Sequence, residues 1–177
     1  MLEFITLLAS TIAFPVVHLL NGWLFNFAEI TPNIGLIYLP AFIRLFNVLV
    51  LGPLKGTLAT YAGGLLLMFT QGAAGNPVEL LAIACSAGSP LAAVLLFQLV
   101  RGRSAQLASL GDVAAVALIY CVANAVLHHL MWSFFDPTQL AGPINLFWMA
   151  LGDLNGALLG AYALKWLAGR LKIGRPL

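Results

Sequence analysis

Six apolar runs, separated by short polar connections, constrain this chain more than any other feature of its sequence. A helix that crosses a bilayer needs about 20 apolar residues, and the runs fall at residues 4–25, 33–51, 56–71, 77–100, 112–134 and 143–168. The third is short, and is expected to be tilted little or partly re-entrant. The runs are continuous instead of alternating, and an open sheet leaves its backbone unsatisfied in lipid, so strands are a poor alternative as spans. Of the 177 residues, 62% are hydrophobic and 8% charged, against roughly a quarter charged in a soluble domain. The expected architecture is therefore all-α: a polytopic helical bundle of about six transmembrane helices, residues 1–177 forming one transmembrane domain. The lipid bilayer is its first partner. No nucleic-acid partner is expected at a net charge of +2.

Basic residues orient the bundle. With the N-terminus in the cytoplasm, the inner connections carry Lys55, Arg101 and Arg103, and the tail carries Arg170, Lys172 and Arg175. The outer connections carry Glu29, Glu79 and Asp136, with no Lys or Arg. That bias places both termini inside. Trp23, Tyr38, Trp132 and Trp148 fall near outer ends, where aromatic rings favour the interface. The tail from Lys165 to Arg175 reads as a stop-transfer anchor. Cys85 and Cys121, both within apolar runs, read as small core or lipid-facing residues, not a metal or redox pair. The first run is too long, and lacks the basic flank, for a cleaved signal, so it reads as the first span.

Ionisable groups within these runs are expensive to insert. At about 1.5 Å per residue, Arg44 in the second run and Asp153 in the sixth both fall roughly 15 Å from the outer ends of their helices. Equal depth and opposite charge predict an Arg44–Asp153 pair. Asn47, Asn124 and Asn155 are candidates for satisfying its remaining donors and acceptors. Such a cluster either fixes helix register alone or lines a polar cavity for a small-molecule ligand, and the two readings stand equally. His18, His128 and His129 lie in outer halves of their runs. Hydrogen-bonded packing is the favoured role, with haem or metal ligation as the competitor, so no cofactor is assigned. Gly152, Gly156 and Gly160, and likewise Ala84, Gly88 and Ala92, recur every four residues and predict two close-packed helix seams. Pro15, Pro40 and Pro90 lie inside runs and are expected to bend them.

The stretch 27–68 holds Thr31-Pro32, Gly35, Leu39-Pro40-Ala41-Phe42-Ile43-Arg44 and Gly52. It resembles the opening of bacterial membrane-associated sensor domains of the MASE type. Trp148-Met149-Ala150-Leu151-Gly152-Asp153-Leu154-Asn155-Gly156 resembles their closing Gly-Asp helix. The resemblance covers roughly half the chain. It implies a bacterial inner-membrane sensory module, with Arg44 and Asp153 as its characteristic charged positions. Such domains usually precede an enzyme. With the sequence ending at Leu177, the expectation is signalling through a separate partner protein, with homo-oligomerisation open. The competing functions are a small-solute transporter or transport subunit, and a haem-bearing electron carrier. No nucleophile–base pair, phosphate loop or closed metal motif is visible, so no enzymatic chemistry is expected.

Overall fold

Prolines and caps set the helix starts. Pro40, Pro53 and Pro77 open helices α2 (Pro40–Leu51), α3 (Pro53–Thr70) and α4 (Pro77–Arg101), where a missing N–H costs nothing. Pro143 likewise begins α6 (Pro143–Arg170). The Asn76 side chain caps α4 by accepting from the Val78 N–H at 3.0 Å. Ser109 caps α5 (Leu110–Phe135) through the Asp112 N–H. Helix α1 spans Leu2–Phe25. These elements come from a computed structural model, which describes residues 2–139 and 142–170; Lys172 and Arg175 of the basic tail lie outside them.

Among the described residues, α1, α4 and α5 are long and apolar enough to cross a membrane. The surface supports that environment. Large apolar side chains cover the outside, including Phe4, Leu8, Leu19, Leu99, Leu118 and Phe134, while Arg44, Asn47, Thr60, Ser86, Ser89, Asn124, His128 and Asp153 are buried. A bundle with its polar groups inside and its apolar ones outside fits lipid as its solvent. Helices α3 and α6 are 18 and 28 residues long but do not reach the same apolarity among the described residues. Gly56, Thr60, Gly63 and Gly64 of α3 and Asn145, Gly152, Asp153 and Gly156 of α6 are turned inward.

The second run departs most from expectation. Only Pro40–Leu51 is helical, a length of about 18 Å, so residues 33–39 do not belong to a spanning helix. The chain instead leaves α1 through a 3-10 turn at Asn26–Ala28 and forms an antiparallel hairpin, β1 (Glu29–Thr31) with β2 (Ile34–Gly35). Pro32 and Asn33 make the turn, Asn33 with a left-handed φ of 68°, a geometry that ends a helical path. Pro40 accordingly starts a helix instead of bending one. Pro15 and Pro90 do lie inside helices.

The shortest helix is the central one. Helix α2 contacts all five others, while α4 and α5 form the most extensive helix pair. The main apolar core joins Ala41, Leu45 and Val48 of α2 to Ala93, Val94 and Phe97 of α4 and Val116, Tyr120 and Cys121 of α5. The Gly152, Gly156 and Gly160 seam is closely packed, against the chain leading into α2 and the first turn of α2 itself. A side chain at Gly152 would strike the Gly35 carbonyl, one at Gly156 the Tyr38 carbonyl, and one at Gly160 the Phe42 ring. The second seam is not an internal one. Ala84 and Ala92 are exposed and nothing lies within 4 Å of the space a side chain at Gly88 would fill.

Candidate functional site

Residues Gly35 to Leu39 lead into α2 without regular helical structure, half-buried apart from the exposed Leu36, and neighbouring helices satisfy much of their backbone. The Tyr38 N–H donates to the Gly152 carbonyl at 3.0 Å. Asn155 Nδ2 donates to the Leu36 carbonyl at 2.8 Å, and the Leu39 N–H donates to Asn21 Oδ1 at 2.8 Å. Irregular backbone at membrane depth is tolerated only where protein or a cavity provides such partners. Gly152 lies about 14 Å along α6 from its start, so the segment packs beside the first half of that helix.

Between this segment and the helices is a cavity of about 330 Å³. All six helices and the hairpin line it, at the end where α1, α3 and α5 finish and α4 and α6 begin. Glu29, Glu79 and Asp136 stand at that end, and Arg44, Thr60, His18, His128 and Asp153 lie deeper. Phe14, Ile34, Leu67, Met68, Met149 and Trp132 supply apolar wall. Its size falls within the usual range for small-molecule sites, and a few converging polar groups in an apolar lining are their usual composition.

Arg44 and Asp153 both line the cavity and both are buried, at 5% and 1% exposure. They do not form an ion pair; among the described residues the ion pairs are Lys55–Glu3 and Arg103–Asp112. The expected direct pairing is thus corrected, because each charge has found another partner. Arg44 Nη2 donates to the Tyr38 hydroxyl at 2.9 Å, and the guanidinium carbon stands 5.2 Å and 4.9 Å from the Phe14 and Tyr38 ring centroids. With its oxygen accepting from Arg44, Tyr38 is left to donate to His18 Nδ1, 3.2 Å away. Arg44 Nε forms no close hydrogen bond, but the guanidinium faces the buried Tyr120 hydroxyl, which also lies near Asp153.

Asp153 is held by a second network. Asn124 Nδ2 donates to Asp153 Oδ2 at 2.6 Å, while Asn124 Oδ1 accepts from Ser89 Oγ at 2.9 Å. Ser89 Oγ is also 3.3 Å from the Ser86 carbonyl, which Pro90 leaves without its helical donor. His128 Nδ1 lies 3.0 Å from the Asn124 carbonyl, which can only accept, so that nitrogen carries the proton. Nε2 is then the acceptor for Ser86 Oγ at 3.3 Å.

The other expected site residues separate from this cluster. Asn47 donates to Thr60 at 3.2 Å and ties α2 to α3. Asn155 supports the irregular segment and not the charges. His129 bonds the Ala125 carbonyl at 2.9 Å and does not line the cavity. No group of three or more His, Cys, Asp or Glu suited to a metal ion occurs among the described residues. Cys121 is buried and Cys85 half-buried, both unpaired. Trp132 is buried against His128 and His129, not interfacial.

Tyr38, Asn21, Ser86 and Ser89 were missed as site residues. Asn21 follows His18 by three residues, and Ser86 and Ser89 share that spacing, so each set marks a polar stripe on one helix face. Comparison with family models, curated proteins and solved structures finds no match for the chain.

Proposed function

We propose that this chain is a small-molecule-binding membrane module that crosses the bilayer six times, with both termini cytoplasmic and the cavity open to the outside. The observation that carries the binding role is the single cavity in which two buried, oppositely charged side chains are both present and not paired with each other. A purely architectural cluster gains most by direct neutralisation, since an unpaired buried charge is costly. Here the cavity that both charges line reaches the end of the bundle where Glu29, Glu79 and Asp136 stand.

The six-span topology is supported by lengths and charge. Helix α2 supplies about 18 Å, and the non-helical residues 35–38 add at most roughly 13 Å, together about the thickness of a 30 Å core. Lys55, Arg101, Arg103, Lys165 and Arg170 belong to the opposite end from Glu29, Glu79 and Asp136, which is the positive-inside arrangement. A sensory role in a bacterial inner membrane, working through a partner protein, is the reading favoured by the resemblance to MASE-type domains. Transport is the second reading, favoured by the non-helical segment beside the cavity, a construction that solute transporters use.

Purified protein in detergent, melted in the presence of acids, amines, zwitterions, sugars and nucleosides, tests the binding role. A compound that raises the melting temperature of the wild type but not of Met149→Trp, which fills the cavity, is the expected result. Identical shifts in both would show that the cavity is not the binding site. Uptake of the same compound into vesicles containing the protein separates transport from sensing.

A further inference from the structure

We propose that the ligand is a small zwitterion of the amino-acid type, its acid group on Arg44 and its amino group on Asp153. The inference rests on the cavity being a ligand site and names what that site selects. Arg44 Nη2 is bonded to Tyr38, and no hydrogen bond is formed by Nη1 among the described residues. Nε is buried and without an acceptor. Asp153 uses Oδ2 for Asn124, and Oδ1 accepts no hydrogen bond among the described residues. The Tyr120 hydroxyl faces part of the Arg44 guanidinium, and the remaining donors of Arg44 and the free oxygen of Asp153 border the same space.

The surroundings argue against a ligand of single charge. A simple acid would satisfy Arg44 but would enter past Glu29, Glu79 and Asp136 and come to rest near Asp153. A simple amine would satisfy Asp153 and be drawn by the same carboxylates, yet would add a cation beside Arg44. A molecule with both groups completes each buried charge and brings no net charge into low dielectric, where uncompensated ions are most costly. The His18 and His128 rings do not compete for the acid group: His18 Nδ1 accepts from Tyr38 and both His128 nitrogens are engaged. Met68, Met149 and Trp132 leave an apolar wall for the ligand's remaining atoms.

Isothermal titration calorimetry on the full chain in detergent tests this with L-leucine, its deaminated analogue isocaproate and its decarboxylated analogue isoamylamine. γ-Aminobutyrate, whose two groups stand further apart, covers a wider spacing, and sucrose and uridine serve as uncharged probes. The expected result is that a zwitterion binds, and that loss of either charged contact weakens binding by about tenfold or more. Arg44→Gln should erase the advantage over the amine, Asp153→Asn the advantage over the acid, and Met149→Trp should abolish binding without touching either charge. Isocaproate or isoamylamine binding as tightly as the zwitterions would overturn the proposal, as would sucrose or uridine binding alone. In those cases the cavity remains a ligand site of different selectivity. If none of the probes and none of the wider panel stabilises the protein, the ligand-site reading fails as well.

Discussion

At the scale of single residues, the polar interior consists of two short relays, Arg44–Tyr38–His18 and Asp153–Asn124–Ser89, not of one ion pair. Tyr38→Phe removes the acceptor of Arg44 and the donor to His18 while keeping the ring beneath the guanidinium. We expect it to lower stability by about 1–3 kcal/mol, the cost of a buried polar group deprived of its partner. Unchanged melting in detergent would show that Arg44 is satisfied elsewhere. Asn124→Leu should cost a similar ~1–3 kcal/mol, because Asp153 loses its donor. Arg44→Leu combined with Asp153→Leu should not return to wild-type stability, since Tyr38 and Asn124 lose their charged partners as well. Full recovery in the double variant, measured by the same melts, would restore direct pairing as the better description. That Arg44 and Asp153 are ionisable groups within apolar runs was legible from the sequence alone, and both are buried. Their partners were not, because depth along a helix says nothing about which neighbour a side chain faces.

Among the elements, the glycine seam of α6 and the irregular chain before α2 depend on each other. The backbone of Gly35–Leu39 can approach α6 only where Gly152 and Gly156 present no side chain, and it then donates the Tyr38 N–H to the Gly152 carbonyl. Gly156→Leu should therefore unfold or strongly destabilise the protein, by more than the ~1–3 kcal/mol usual for overpacking, because the obstruction is backbone that cannot rotate away. Gly88→Leu is the informative contrast. With nothing near that position, the variant should melt close to wild type, and a large loss there would show that the outward face of α4 is covered. Four-residue spacing alone predicted both seams, and no feature of either sequence distinguishes the buried one from the exposed one. At the other end of the bundle, Arg103 grips Asp112 through two bonds of 2.6 and 2.9 Å, fixing the α4–α5 connection. That carboxylate holds the Arg103 guanidinium above its usual range.

For the whole molecule, the orientation is testable without any ligand. In intact cells, an impermeant thiol reagent should label Glu29→Cys and leave Ser104→Cys unlabelled in a background free of Cys85 and Cys121, and the reverse would invert the topology. What the sequence determined by itself is the helical class and the membrane environment, since apolar runs of spanning length permit little else. It also marked which residues carry ionisable groups within the apolar runs, Arg44 and Asp153 above all, because position in a run is read directly from the sequence. Tertiary structure alone decided that the shortest helix lies at the centre, that residues 33–39 are not helical, and that the two charges face a common cavity without touching. An extended segment inside a membrane protein is stable only when other helices satisfy its backbone. Asn21, Gly152 and Asn155 are 18, 114 and 119 residues from the groups they bond, and no local pattern encodes a contact at that distance.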